Sequence, residues 1–244
     1  MKQNYSLYTS EDQLVWKTLF ERQITNLTQY GCKAYLQGIE NVGFVSGKIP
    51  DFEEVKQNFR KTTGWSLHVV PGIIPVEEFF PLLSDKKFSA TTWLRKMSQL
   101  DYIEEPDMFH DVFGHVPLLS IPAFSEFVQG LSKIALKHLD DSAKMEMLGR
   151  IYWFTLEFGL IRENGELKVY GAGICSSSGE VKHALSSNCE HRNFSVAEIL
   201  NTPFQNDRIQ NLYFVIDSFE QLFDSLAEIE SCLEGKGIGV GFYH

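Results

Sequence analysis

Basic charge is scarce in this chain. Its 22 Lys and Arg stand against 32 Asp and Glu, a formal net charge of −10, and no Lys/Arg-rich run occurs. Without a basic stripe there is no electrostatic footprint for a phosphate backbone or an anionic lipid surface, which argues against nucleic acid and membrane partners. Long apolar runs are also missing: no stretch of about 18 apolar residues offers a membrane span. The opening segment MKQNYSLYTSEDQLVWK lacks the apolar core of a secretion signal, so a cytoplasmic protein is expected. Cysteine is sparse. Cys32, Cys175, Cys189 and Cys232 are widely spread and form no CxxC pair, so neither a zinc ribbon nor a redox motif is indicated, and all four read as reduced core thiols. No repeat, linker or low-complexity tract interrupts the chain. At 244 residues, 43% hydrophobic and 22% charged, it has the length and balance of one folded domain.

What is present is mostly helical periodicity. Ser10 followed by Gln13 reads as a capping box, and Leu14, Trp16, Phe20, Ile24 and Leu27 recur at helical spacing until Gly31. A shorter helix is expected over 50–59, a strand and turn in GWSLHVVPGIIP, and a brief helix over 76–83. Further helices are expected over 106–113, 123–139 and 141–161, the last with Met145, Leu148, Tyr152, Thr155 and Phe158 along one side. Asn164-Gly165 between LIRE and ELKVYGAG predicts a β hairpin, because a type I′ turn needs positive φ at both positions. A helix over 195–201, a strand in LYFVID, a helix opening with Ser218 and Gln221, and a Gly-rich tail complete the pattern. The fold class expected is α+β, predominantly α-helical, with small β ribbons in a single domain.

Residues 104–119, EEPDMFHDVFGHVPLL, place two histidines five positions apart in an apolar run. Pro106 suits a first helical turn and Gly114 the position just past a helix end, so His110 is expected inside a helix and His115 beyond it. On an unbroken α-helix five residues would turn the rings apart by roughly 140°. A left-handed Gly114 would let the chain turn back so that the rings meet, with Pro117 preventing the helix from resuming. The spacing differs from HExxH, which argues against a zinc peptidase. The pair alone admits two readings, core residues or metal ligands. Glu157 in IYWFTLEFGLI bears on the choice, since a buried carboxylate needs a cation or a proton. Two imidazoles and one carboxylate make the facial triad of non-haem ferrous oxygenases. His68, His138, His183, His191 and His244 read as surface or structural residues.

The segments EPDMFHDVFGHVPLL, IYWFTLEFGL and YGAGICSSSGE resemble the signature segments of the pterin-dependent aromatic amino acid hydroxylases, in that family's order and near its spacing. The resemblance extends from the first helix to about residue 234, and members acting on phenylalanine in bacteria are most similar in length. It implies a single catalytic domain over 1–244 without the regulatory domain or tetramerisation extension of animal members, hence a monomer. It implies Fe(2+) held by His110, His115 and Glu157, with a tetrahydropterin as co-substrate and O2 as oxidant. By position, Phe79 would stack on the pterin, with Gly72 and Ile73 along its edge. Arg95 would grip the substrate carboxylate through its planar fork, with Asp107 orienting Arg95 or His110. Trp153 and Phe158 would wall the amino acid pocket, and Ser176 would lie close to the polar end of the substrate. Two positions depart from the family pattern. Asp111 stands where many relatives have Glu, which shortens its reach toward the pterin, and Ile103 replaces a hydroxyl residue, which throws more weight on Arg95. Trp153 points to phenylalanine rather than tryptophan as substrate, with tyrosine as the expected product. Other outcomes of the same ligand set are meta hydroxylation, 5-hydroxytryptophan formation, a zinc hydrolase or a catalytically silent relative. A 2-oxoglutarate oxygenase is disfavoured, because it would carry HxD on a jelly roll.

Overall fold

In a computed structural model describing residues 1–101, 103–206 and 208–235, the first helix is capped one residue earlier than the Ser10–Gln13 pair suggests. The Thr9 hydroxyl accepts from the Asp12 N–H, and the Asp12 carboxylate accepts from the Thr9 N–H at 2.7 Å. Helix α1 (Ser10–Tyr30) buries Val15, Trp16, Leu19, Phe20, Gln23 and Leu27, whereas Leu14 is 50% exposed, so the apolar stripe is rotated from the expected one. Gly31 ends it as extended backbone bridged to Val169. Helices α2 (Lys33–Val42) and α3 (Phe52–Phe59) follow. Strand β1 (Ser66–Val69) realises the strand expected in GWSLHVV, and α4 (Val76–Ser84) connects it to β2 (Lys87–Ala90), its parallel partner. The sequence pattern did not announce β2.

The middle of the chain departs most from expectation. The helix expected to stop at Gly114 does not stop. Residues Phe109–His115 form a π-helical turn that runs directly into α5 (Val116–Leu119). Gly114 is not left-handed; it is needed for space, since a Cβ there would lie 3.0 Å from the Ala172 carbonyl oxygen. Pro117 sits in the first turn of α5 without breaking it. Its missing N–H leaves the Phe113 carbonyl without an α-helical donor, and the Tyr35 hydroxyl from α2 donates there instead. Helix α6 (Pro122–Ala135) is shorter than expected. Helix α7 (Ser142–Tyr152), capped by Asp141, does not reach residue 161: at Trp153–Glu157 it changes to a second π turn, closed by the Phe158 N–H donating to the Trp153 carbonyl at 2.9 Å.

The hairpin forms where Asn164-Gly165 predicts it, with φ of 52° and 83°, joining β3 (Leu160–Glu163) to β4 (Glu166–Val169). It belongs to a larger sheet than expected. After α8 (Ala172–Cys175) and α9 (Glu180–Ala184), β5 (Glu190–Asn193) and, past α10 (Val196–Asn201), β6 (Leu212–Ile216) add to it in the order β4-β3-β6-β5. Helix α11 (Phe219–Asp224), whose Gln221 N–H donates to the Ser218 hydroxyl, and α12 (Leu226–Leu233) close the described chain. The Gly-rich tail and His244 lie outside the described residues. Among the described residues no helix is long and apolar enough to cross a membrane. Cys32, Cys175 and Cys189 are buried free thiols, while Cys232 is only half-buried.

The core is aromatic where the first π turn needs support. Phe109 and Phe113 stack at 4.6 Å, with Trp16 5.4 Å from Phe109 and Phe20 5.4 Å from Phe113. This packs one face of the turn against α1 and α2 and leaves the opposite face for His110 and His115. Replacing Tyr35 by Phe removes the donor to Phe113 while keeping the ring, and an unsatisfied buried carbonyl costs about 1–3 kcal/mol. Urea denaturation should show that loss in the Tyr35→Phe protein; an unchanged midpoint would mean that the junction needs no donor from α2.

Candidate metal centre and its two cavities

A hydrogen bond from residue i to residue i+5 brings positions five apart nearly over one another, which an α-helix cannot do. His110 and His115 thus share a face, with ring centroids 5.2 Å apart and planes at 82°. The second π turn delivers Glu157 to the same point: its carboxylate lies 3.1 Å from His115 Nε2 and 3.8 Å from His110 Nε2. Ligand atoms of all three residues fall within 4.8 Å of one another, a grouping able to hold a metal ion. Burial alone would raise the Glu157 carboxyl, but the facing His115 and His110 rings and the Gly173 N–H hold it down at about 2. The carboxylate is therefore ionised at neutral pH.

Ser176 sits against the centre. Its hydroxyl donates to the Ala172 carbonyl at 2.8 Å, so toward His110 Nδ1, 3.0 Å away, it can only accept. His110 therefore carries its proton on Nδ1 and leaves Nε2 available to a metal, a common arrangement behind ligating histidines.

Two cavities meet at this cluster. The first, about 440 Å³, is bordered by Arg95, Ile103, Trp153, Phe158 and Ser176, and by Leu19, Arg22 and Gln23 of α1. The second, about 260 Å³, is bordered by Gly72, Ile73 and Phe79, and by Thr91, Asp111 and Tyr152. His110, Glu157, Pro106 and Ile73 border both. The half-buried Phe79 ring stands edge-on to Phe80 and Tyr152 at 5.5 and 5.6 Å. The α1 residues were legible in part, because Gln23 interrupts the buried row Leu19, Gln23, Leu27. Nothing local marks Thr91, whose N–H and hydroxyl both donate to the Asp111 carboxylate at 2.8 Å. That contact occupies the Oδ2 of Asp111, which borders the second cavity, while burial pushes the carboxyl up.

Asp107 lies outside both cavities and is 0% exposed, so its contacts run through Arg95 and His110. Its carboxylate accepts from Arg95 Nε at 2.9 Å, Nη2 at 2.8 Å and the Arg95 N–H at 2.9 Å, and from the His110 N–H at 3.2 Å. The Nε–Nη2 edge of the Arg95 fork is thereby occupied. The edge left for a ligand carboxylate is Nη1 with the remaining Nη2 proton. Burial pushes the Asp107 carboxyl up, but the Arg95 guanidinium and the two N–H donors outweigh it and hold it below its ordinary range.

A depressed carboxyl stabilises the fold fully above its unfolded pKa and loses that contribution as pH falls through the folded value. Asp107→Asn leaves a buried guanidinium without its counter-charge and is expected to cost about 3–5 kcal/mol at neutral pH. The deficit should shrink as the pH is lowered through the acid limb, where wild type loses the same pairing. Urea midpoints across that range test it, and a deficit independent of pH would remove the charge from the explanation.

The family model described as biopterin-dependent aromatic amino acid hydroxylase matches residues 4–236. The chain is 44% identical over 226 residues to the phenylalanine-4-hydroxylase of Ralstonia nicotianae, covering 92% of this chain and 72% of that protein. Phenylalanine hydroxylase from Chromobacterium violaceum, solved with bound iron(III) and oxidised 7,8-dihydrobiopterin, superimposes with a TM-score of 0.90 at 39% identity, covering 97% of this chain and 87% of that one. Its iron- and phenylalanine-bound form gives 0.88 at 38% identity, covering 97% and 88%. Because the family match takes in both π turns and every element bordering the two cavities, the chain belongs to the biopterin-dependent aromatic amino acid hydroxylases.

Proposed function

We propose that this chain hydroxylates the ring of L-phenylalanine with dioxygen to give L-tyrosine, using a ferrous ion and a tetrahydropterin. The observation that carries the reading is that His110 and Glu157 border both cavities, so two organic molecules can meet at one metal. The donor set fits ferrous iron: one ionised carboxylate and two imidazoles on one side leave sites open on the other. The second cavity, with Phe79 on its wall, fits a flat heterocycle. When bound, iron and pterin supply dioxygen activation and two electrons.

The protein's part is positioning. The outer edge of Arg95 takes the substrate carboxylate while Asp107 holds the guanidinium from behind. Trp153 and Phe158, with ring centroids 4.6 Å apart, hold the substrate ring beside the ligands. Phe79 would face the pterin, with Gly72 and Ile73 along its edge. Ser176 acts through His110 by keeping the proton on Nδ1. A zinc hydrolase on the same ligands would leave the second, aromatic-lined cavity without a role. The iron, phenylalanine and dihydrobiopterin bound by the Chromobacterium violaceum relative support the same division of labour.

Protein loaded anaerobically with ferrous iron, then given tetrahydropterin and air with ring-labelled phenylalanine and unlabelled tyrosine and tryptophan in competition, should yield labelled tyrosine as the main product. Chromatography with mass detection reads the result; meta-tyrosine or 5-hydroxytryptophan would redraw the first cavity, and no product from iron-loaded protein would sink the reading. His110→Ala should lose stoichiometric iron and turnover together. Full hydroxylation by that variant would remove His110 from the ligand set.

A further inference from the structure

Trp153 forms a wall of the first cavity, and what fixes its orientation lies outside that cavity. The indole stacks on Phe204 at 4.5 Å and 17° and leans on Phe158 at 4.6 Å and 39°. Neither contact chooses which edge faces the substrate, because a half-turn about χ2 leaves the ring plane where it was. The two orientations differ in the side on which the six-membered ring lies, and so in the shape of the cavity. One directional contact separates them. Trp153 Nε1 donates to Gln210 Oε1 at 3.1 Å.

Gln210 is equipped for that task. It is 8% exposed, and its Nε2 donates to the carbonyls of Gln205 and Arg208 at 2.7 and 2.9 Å. Turning the amide round would set its oxygen against two carbonyl oxygens and its NH2 against the indole N–H, so only one amide orientation satisfies the site. The Gln210 main-chain carbonyl accepts from Tyr213 Oη at 3.1 Å and His183 Nε2 at 2.8 Å, which ties the residue to β6 and α9. The bonds to Gln205 and Arg208 also hold the stretch that brings Phe204 onto the indole and Asn206 to the border of the first cavity.

We propose that Gln210 is a positioning residue that sets the ring selectivity of the first cavity by locking the indole of Trp153 in one of its two orientations. The proposal rests on the reading of that cavity as the amino acid site. Releasing the lock lets the indole populate both orientations, which weakens the fit to phenylalanine and relaxes the exclusion of a bicyclic ring.

The test is the ratio of affinities for L-phenylalanine and L-tryptophan, measured by calorimetry on iron-loaded protein without oxygen. Gln210→Met keeps the length and removes the acceptor together with the Nε2 donors to Gln205 and Arg208, and should lower the phenylalanine preference by about five-fold, the worth of one neutral hydrogen bond, with iron content and far-UV circular dichroism unchanged. Replacing Trp153 by 3-benzothienylalanine keeps the bicyclic shape and deletes only the N–H; it should give a shift of the same sign, and it remains informative if Gln210→Met folds poorly. In a Trp153→Phe background Gln210→Met should no longer move the ratio. An unchanged ratio in either variant that folds, or a Gln210→Met shift that persists at full size without the indole, overturns the proposal. Wild-type protein that binds phenylalanine yet forms no tyrosine overturns the hydroxylase reading alone and leaves the affinity ratio to decide the role of Gln210. Protein that binds neither amino acid overturns both.

Discussion

The hydrogen bond from residue i to residue i+5 is the feature on which the site depends, and the chain uses it twice. Over Phe109–His115 it aligns the two histidines; over Trp153–Glu157 it aligns Trp153 with Phe158 and delivers Glu157 to the histidines. π turns are rare because a local chain has no reason to prefer them over α geometry, and they recur at functional sites where tertiary contacts repay the choice. Those contacts are visible here. The Phe109–Phe113 stack, wedged against Trp16 and Phe20, holds the first turn from behind, and Tyr35 satisfies the carbonyl that Pro117 cannot. The same residues that make the core therefore decide the spacing of the ligands.

Charge is handled by the same logic. Arg95 and Asp107 are both buried, a costly pairing in a low dielectric unless the geometry is complete. It is complete: Asp107 accepts four N–H bonds, and one of them comes from the backbone of His110. A single carboxylate thus fixes the cation of the first cavity and the first turn of the segment that carries His110 and His115. Glu157 solves its own burial by facing two imidazoles, and Asp111 by accepting from both donors of Thr91. Each buried carboxylate is satisfied by neighbours that also shape a cavity, so the electrostatic and steric requirements of the site are met by one set of contacts.

The two cavities are unequal, about 440 and 260 Å³, and they touch at His110 and Glu157. That arrangement suits a reaction in which a flexible amino acid and a flat reductant approach one metal from different sides. The loop after β1, strand β2, α4 and the first π turn carry the walls of the smaller cavity, while α1, the 95–106 stretch, the second π turn and the start of the loop after α8 carry those of the larger.

Much of this was legible in the residues themselves. Short-range rules located α1, the Asn164-Gly165 hairpin and the helix that Ser218 caps, because capping and turn formation involve atoms only a few positions apart. The chemical identity of His110, His115 and Glu157 marked them as candidate metal ligands, and the family resemblance singled out Arg95, Trp153, Phe158, Ser176 and Phe79, which border the cavities beside them. Two expectations failed together: Gly114 does not turn left-handed, and Pro117 does not end the helix. Their true roles are space for Ala172 and an orphaned carbonyl for Tyr35, a residue 78 positions away. Distance along the chain likewise hid β2 and β5 and the bond from Gln210 to Trp153, 57 positions apart. The sequence by itself determined which groups are available and where local bonding begins and ends. Only the tertiary structure decided the π register, the strand partners and the orientation of each functional side chain, because those choices lie within the energy of a few long-range contacts that no local pattern contains.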